Sequence, residues 1–264
     1  MIEVAFPLEE LEFYLLILVR VSCFVFAAPF FSMNDVPRTV RVALSIFTAY
    51  LLYSATLVHE MPEYSTLFQY AGIVLKEAIT GLLVGLGAQF CFMIIGFAGH
   101  MVDTEIGFAM ASLMDPTTRQ QTTVTGMYFQ YAFMLIFLLS GMYQYLLSAL
   151  AETFILIPVG QAQFIIYRLY ESFITFMADY IVIGFRICLP VFCTILIVNG
   201  LLGIMAKVSP QMNMFAVGLQ IKVFAGLGVL LLTTSLLPIA TDFIFVQMKR
   251  VIVMFVKAMG AVYG

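Results

Sequence analysis

The chain has 264 residues, of which 63% are hydrophobic and only 10% are charged. Soluble globular domains carry about 45–50% apolar and about 25% charged residues, so this composition excludes a water-soluble fold and indicates an integral membrane protein. Twelve basic against 15 acidic residues give a net charge of −3, which excludes a basic surface for nucleic acid.

Long stretches without charged residues predict the helices. In chain order they are residues 21–34, 42–58, 78–102, 120–151, 187–206 and 223–241. Most of them approach or exceed the roughly 20 apolar residues that cross a bilayer as a helix, and the first extends back through Arg20 to about Leu11. Proline with Asn, Asp, Glu or Ser marks turns at 34–38, 59–63, 115–116 and 209–211. No alternation typical of strands is long enough for a barrel.

Three further prolines lie inside or at the ends of apolar runs. Pro158, Pro190 and Pro238 are expected to kink or end helices, because proline lacks a backbone N–H. The predicted fold is therefore all-α: a polytopic membrane bundle of helical hairpins with kinked helices.

Catalytic and metal-binding patterns are missing from the sequence. It has no HExxH, GxSxG or GxxxxGK[ST] motif, and its two histidines stand apart from other candidate ligands. The four cysteines lie inside apolar runs without a CxxC pair. We therefore expect no enzymatic activity, no cofactor and no metal.

Charged residues and glycines form stripes at helical spacing within the apolar stretches. One stripe consists of Arg168, Glu171, Thr175, Asp179 and Arg186; a second of Glu77, Gly81, Gly85 and Gln89; and a third of Gly218, Lys222 and Gly226. Ionisable groups are expensive in lipid, and small residues let helices approach closely. The stripes are interpreted as ion pairs and close contacts between helices or subunits, as a conduit or proton path, or as segments outside the membrane core.

Residues 101–122 interrupt this pattern. Their apolar centre, residues 107–114, is too short to cross a membrane and has Asp103 and Glu105 before it and Asp115-Pro116 after it. Such a segment is typical of a re-entrant or pore-lining loop, although an ordinary hairpin connection has the same pattern. Bulky side chains in this segment could seal an aqueous path: Phe108, Met110, Leu113 and Met114.

Four motifs in order along the chain, between about Leu15 and Leu230, resemble the FliR family of flagellar type III protein-export subunits. The first is Arg20 with Ala28-Pro29-Phe30 and Val36-Pro37-Arg38-Thr39-Val40-Arg41; the second is Leu75-Lys76-Glu77-Ala78-Ile79-Thr80-Gly81 with Gly85; the third is Ala98-Gly99, Asp103, Gly107-Phe108-Ala109 and Asp115-Pro116; and the fourth is Ser209-Pro210-Gln211-Met212-Asn213-Met214-Phe215 with Gly218 and Ile221-Lys222. The fourth motif is the most specific, because hydrophobicity alone does not generate it.

The resemblance implies a larger helical assembly with FliP and FliQ, associated with FlhB and served by FlhA, in the bacterial inner membrane at the flagellar basal body. It also implies that unfolded flagellar proteins pass through this gate. The chain is expected to divide into a FliP-like part, residues 1–189, and a FliQ-like helical hairpin, residues 190–264.

The resemblance also implies roles for individual residues. The loop that plugs the resting pore is expected to include Gly107, Phe108, Met110, Leu113, Met114, Asp115 and Pro116. Residues expected in subunit packing and assembly are Glu77, Gly81, Gly85, Arg168, Glu171, Asp179, Arg186, Pro210, Gln211, Asn213, Gly218, Lys222 and Gly226.

Three other functions are compatible with the sequence. The nearest is the equivalent subunit of a virulence-type injectisome. A secondary transporter with a midplane site at Glu77, Asp179 or Lys222 is another, although we find no internal inverted repeat, which transporters usually have. The third is a purely structural assembly factor.

Overall fold

The computed structural model describes residues 8–31, 36–55, 62, 64–108, 113–114, 121–209, 211 and 213–260. Within these ranges the chain is helical, with one short pair of strands. The elements are α1 Leu8–Ala27, α2 Arg38–Ala55, α3 Leu67–Ile106, β1 Leu113–Met114, β2 Gln121–Thr122, α4 Val124–Leu139, α5 Met142–Leu156, α6 Ile166–Val208, α7 Met214–Thr233 and α8 Leu237–Ala258. The predicted all-α class is confirmed.

Several helix ends coincide with predicted turns or prolines, but the predicted stretch 120–151 is divided into α4 and α5 at a break that the sequence did not predict. α5 ends at Leu156, two residues before Pro158, and α6 ends at Val208, immediately before the turn at 209–211. Pro238 is the second residue of α8, a position where its missing N–H costs no helical hydrogen bond. Pro190 lies inside the 43-residue helix α6, which continues through it.

Three helical segments in the described part of the chain are long and apolar enough to cross a membrane: Leu67–Ile106, Ile166–Val208 and Ala216–Ala258. Helices α4 and α5 meet at a bend of 68°. Taken together as one broken span, they would be a fourth membrane-crossing segment. α3 has 40 residues and α6 has 43, about twice the length that a bilayer requires. These findings confirm a polytopic helical membrane protein.

The chain divides into two compact units. The first comprises Met1–Phe90, Gly141–Phe176 and Val246–Gly264, and its core includes Leu16 and Phe24, both fully buried. The second comprises Cys91–Ser140 and Met177–Phe245. Its core contains an aromatic cluster in which the rings of Phe133 and Phe245 lie 5.4 Å apart. The sequence analysis divided the chain differently, into residues 1–189 and 190–264, because of a resemblance to two other subunits. That division stays a prediction.

Candidate functional site

The predicted pore-lining segment leaves α3 at a left-handed glycine. α3 ends at Ile106, and Gly107 has a φ of 98°, a conformation that side chains with a Cβ rarely adopt. The N–H of Gly107 donates to the carbonyl of Asp103 at 3.0 Å, which closes the last helical turn. Phe108 follows and is half-buried. Glycine is therefore required where the loop begins.

The carboxylate of Asp103 holds the other end of the loop. It is fully buried, and its Oδ2 accepts a hydrogen bond from the backbone N–H of Thr125 at 2.9 Å. The Thr125 hydroxyl donates to Oδ1 of the same carboxylate. Thr123 caps α4, with its hydroxyl accepting from the N–H of Gly126 at 3.2 Å. A negative charge is favourable here because the N-terminus of a helix is its positive end.

Two glycines bring the backbones of α3 and α4 together beside this carboxylate. A Cβ on Gly99 would lie 2.7 Å from the backbone nitrogen of Gly126, so any larger residue would force the helices apart. We call Gly99, Asp103, Thr123, Thr125 and Gly126 the neck of the loop. The neck fixes both ends of the loop to each other.

Beyond the neck, two residues from each side of the loop pair as antiparallel strands. Leu113 pairs with Thr122 and Met114 with Gln121. For Leu113 and Met114 only the backbone is described. Met110, Asp115 and Pro116 lie outside the described residues.

A second cluster, in the other unit, surrounds a buried ion pair between α1 and α3. The Nε of Arg20 lies 2.6 Å from Oε2 of Glu77, and its Nη2 lies 3.0 Å from Oε1. Both side chains are fully buried. This bidentate geometry is the strongest that an arginine and a carboxylate form.

The remaining hydrogen-bonding groups of the pair are also satisfied. The Nη1 of Arg20 donates to the carbonyls of Thr153 at 3.2 Å and Ile157 at 3.0 Å, at the negative end of α5. The N–H of Gly160 donates to Oε1 of Glu77 at 2.8 Å. The guanidinium also lies 4.2 Å from the centre of the Phe154 ring. The arrangement ties together α1, α3 and the end of α5.

The predicted glycine stripe of α3 lies against α1. A Cβ on Gly81 would collide with the carbonyl oxygen of Arg20, and a Cβ on Gly85 would lie 2.9 Å from that of Phe24. Glu77, Gly81 and Gly85 therefore make close contacts between helices of the same chain. Their predicted role in contacts between subunits stays a prediction.

The charged stripe of α6 lies on one continuous helix, as its spacing predicted. Arg168, Glu171 and Arg186 are exposed, whereas Asp179 is half-buried. The structure thus leaves three of these four charges at the surface of the isolated chain.

The motif around 209–222 forms the start of α7. The Oδ1 of Asn213 accepts from the N–H of Ala216 at 3.4 Å and caps the helix, while Gln211 is exposed. Pro210 lies outside the described residues. Lys222 is half-buried between two buried glycines.

Those two glycines contact other helices of the same unit. A Cβ on Gly218 would lie 3.2 Å from Leu202 of α6, and one on Gly226 would lie 2.5 Å from Ile106 of α3. The glycine stripe of α7 therefore also packs within the chain.

Several residues of the two clusters were not among the predicted site residues: Arg20, Asp103, Thr123 and Thr125. Arg20 is the one basic residue in the first apolar helix and Glu77 the one acid in its stretch of α3, which is a signal for pairing. Thr123 before an apolar run is a signal for a helix cap. No local sequence pattern identifies Asp103 as the partner of Thr125, because the two residues are 22 positions apart and come into contact only in the folded chain.

In the described part of the chain, no three His, Cys, Asp or Glu side chains are close enough to hold a metal ion. The two clusters instead use carboxylates to hold helices. Their chemistry is hydrogen bonding and packing.

Comparison with known proteins gives the same assignment over most of the chain. The model of a family described as "Bacterial export proteins, family 1" matches residues 11–248. The flagellar biosynthetic protein FliR of Bacillus subtilis is 29% identical over 239 residues, which are 88% of this chain and 90% of that protein. The protein of the same name from Escherichia coli is 23% identical over 240 residues, 89% of this chain and 88% of that protein.

A third relative has a different name. The surface presentation of antigens protein SpaR of Shigella flexneri is 25% identical over 233 residues, 86% of this chain and 88% of that protein.

Proposed function

This chain belongs to the bacterial export proteins of family 1, and on that premise we propose that it is a core membrane subunit of a flagellar type III protein-export gate. The observation that carries the proposal is that proteins named for flagellar biosynthesis match nearly the whole chain, including its membrane helices. The gate lies in the bacterial inner membrane at the flagellar basal body. It forms the channel through which unfolded flagellar proteins leave the cytoplasm.

The loop that begins at Gly107 closes the pore before export. Its neck, from Gly99 to Gly126, supports this proposal because both ends of the loop are held by a buried carboxylate and close backbone contact. A short apolar segment between fixed ends can be displaced by a polypeptide and return to the same position. Bulky, adaptable side chains at Phe108, Met110, Leu113 and Met114 suit a seal that accepts any sequence but blocks ions.

The chain works in a complex with FliP and FliQ, with which FlhB and FlhA associate. Large apolar side chains exposed on the isolated chain support this proposal, among them Phe68 at 89% and Ile155 at 81% exposure. The exposed charges Arg168 and Glu171 on α6 form ion pairs with neighbouring subunits. Glu77 acts in assembly by holding α1 and α3 in the shape that the neighbours contact.

Co-purification tests this function. The chain is tagged at its C-terminus, extracted in mild detergent from the flagellated cells that make it, and its companions are identified by mass spectrometry. FliP-like and FliQ-like subunits are expected with the wild-type chain. Fewer are expected with Glu171→Lys, while Glu171→Asp, which keeps the negative charge at this exposed position, is the matched control.

A chain that emerges alone and monodisperse would contradict the gate assignment. The purified chain in vesicles would then be tested as a transporter. A substrate-dependent flux through that single chain would establish the transporter in place of the gate.

The likeness to SpaR favours a second candidate, the equivalent subunit of a virulence-type injectisome. The two candidates differ in what they export. If deletion of the gene abolishes motility and its return restores it, the flagellar function holds. If motility persists while secretion of other proteins stops, the injectisome function replaces it.

A further inference from the structure

Helix α7 lies against the start of the loop between α3 and α4. A Cβ on Gly107 would lie 2.9 Å from Cδ1 of Leu219, and a Cβ on Gly226 would lie 2.5 Å from side-chain atoms of Ile106. Ile106 is the last residue of α3 and is fully buried. The contact therefore has two points, one at the end of α3 and one at the first residue beyond it.

The residues of α7 that make this contact lie on one face of the helix. Leu219, Lys222 and Gly226 are spaced by three and four residues, and helical geometry places such residues in line. Lys222 is therefore positioned between the two points of contact. It is half-buried and forms no hydrogen bond or ion pair with a residue that the structure describes.

Leu219 lies beside the residue at which the loop can change direction. Gly107 has a φ of 98°, and glycine rotates about its backbone bonds with the least steric restriction. Hinges in proteins are often such residues at the ends of elements, where they absorb changes in φ and ψ. Because the Leu219 side chain fills the space on one side of Gly107, a change of backbone direction there requires Leu219 to move.

The packing of α7 within the chain is weak. Among the described side chains of α7, the buried positions are Gly218 and Gly226, and every large apolar side chain is at least partly exposed. Few buried apolar contacts give an element low local stability. The charged group of Lys222 also gains hydration when α7 moves outward, which offsets part of the lost packing. The separation of α7 from the end of α3 therefore costs little free energy.

We infer that α7 is a latch on the loop. Residues 106 and 107 are held while Leu219 and Gly226 contact them, and the loop opens when α7 moves away. The inference rests on the proposed function, because it assigns a control to the loop that closes the pore. The latch is separate from the neck, which joins α3 to α4 through Gly99 and Asp103.

A reversible crosslink between α3 and α7 tests the latch. Ile106→Cys and Gly226→Cys are introduced together after the four native cysteines are replaced. The Ile106 atoms beside Gly226 place the two Cβ atoms near the separation of about 3.5–4.5 Å that a disulfide needs. Flagellated cells that make this chain are treated with diamide and then with dithiothreitol, and flagellar proteins exported into the medium are measured.

We expect oxidation to stop export and reduction to restore it, because a crosslinked α7 cannot move away from the loop. The chain without cysteines, treated in the same way, is the control and should continue to export. Formation of the crosslink is measured on the same samples by the shift in electrophoretic mobility that dithiothreitol reverses.

Substitutions at the contact test the closed state. Gly226→Leu should push α7 away from Ile106 and make cells leak a small dye, measured at equal protein levels. Adding Ile106→Ala should restore the barrier, because it makes room for the new side chain. Gly228→Leu is the matched control on the same helix and should not leak, because a Cβ on Gly228 meets nothing within 4 Å.

Four results would overturn the latch. They are export that continues with the crosslink formed, failure of the crosslink to form, equal permeability of Gly226→Leu and Gly228→Leu, and leakage that Ile106→Ala does not relieve. If the reduced double-cysteine variant does not export, the dye measurements decide. Failure of the proposed function is distinguishable, because deletion of the gene would then leave export of flagellar proteins unchanged.

Discussion

At the scale of single residues, the ion pair of Arg20 and Glu77 shows how this chain keeps charge inside an apolar fold. Each charged atom has a partner, including the carbonyls at the end of α5 and the N–H of Gly160. Burying two charges costs free energy that their attraction only partly returns, so the pair specifies which helices meet more than it stabilises them. The cost of losing one partner is much larger than the net value of the pair.

Replacing Glu77 by Gln should lower the free energy of unfolding by about 3–5 kcal/mol, because Arg20 then stays charged and buried without its counterion. The measurement is denaturant unfolding of the purified full chain in detergent. Glu171→Gln is the control and should change stability by less than about 0.5 kcal/mol, because Glu171 is exposed. Equal stability of the two variants would show that the pair is not required.

Two glycines of α3 should respond in opposite directions to the same substitution. Gly81→Ala should lower stability by about 1–3 kcal/mol, because the added Cβ collides with the backbone of α1 at Arg20. Gly72→Ala should raise it by about 0.5–1 kcal/mol, because its Cβ meets open space and alanine favours the helix. The measurement is the thermal unfolding of both variants and the wild-type chain in the same detergent. A Gly81→Ala variant as stable as the wild type would contradict the close packing of α3 on α1.

At the scale of elements, the neck holds the end of α3 and the beginning of α4 together. The carboxylate of Asp103 caps the N-terminus of α4, and Gly99 lets that terminus approach α3. Ends that are held together suit the proposed role of this loop as a seal. Loosening the neck should therefore loosen the seal without removing any residue of the loop.

Asp103→Ala should make cells leak small solutes, because α4 loses its carboxylate cap and both hydrogen bonds at Thr125. Each hydrogen bond to the charged group contributes about 1.5–3 kcal/mol. Leakage of a small dye into cells is measured at matched protein levels. Glu105→Ala is the control, since Glu105 forms no hydrogen bond with a described residue.

Phe108→Gly should leak in the same way if the side chains of the loop form the seal. Normal permeability in both Asp103→Ala and Phe108→Gly, with normal expression, would contradict the plug assignment. Leakage in Phe108→Gly alone would keep the plug and dismiss the neck as its support.

At the scale of the whole molecule, the long helices exceed what a bilayer can cover. α3 and α6 each have about twice the roughly 20 residues that cross a bilayer. Each contains one long charge-free stretch, residues 78–102 in α3 and 187–206 in α6. The number of crossings therefore depends on which part of each helix meets lipid. The hairpin formed by residues 187–206 and 223–241 has the clearest boundaries, because charges stand at all four ends.

Cysteines introduced at Gln211 and Asp242 should be labelled from opposite sides of the membrane. Both residues are exposed, and they lie beyond opposite ends of the segment 223–241. The four native cysteines are first replaced, and a membrane-impermeant maleimide is applied to spheroplasts and to inverted vesicles. Labelling of both positions from the same side would mean that this hairpin does not cross the bilayer.

Some helix ends were predictable because their causes are local. Others were not: α4 ends and α5 begins inside the charge-free stretch 120–151, and α6 begins at Ile166, well before the stretch 187–206. Pro158 ends α5 and the motif around Asn213 starts α7 through backbone hydrogen bonds within a few residues. The stripes of α3 and α6 were also predictable, since helical spacing puts residues on one face whatever that face contacts. The helix that each face contacts could not be predicted, because residue spacing contains no information about the opposing element.

The sequence by itself determined that this protein is a helical membrane protein, since composition decides the solvent in which a chain can fold and turn residues act locally. Its motifs also indicated the export family. Only the tertiary structure decided that Glu77 pairs with Arg20 and that Asp103 caps α4 at Thr125. These contacts join residues 22 to 57 positions apart, which meet only when many weak packing interactions select one arrangement of the helices.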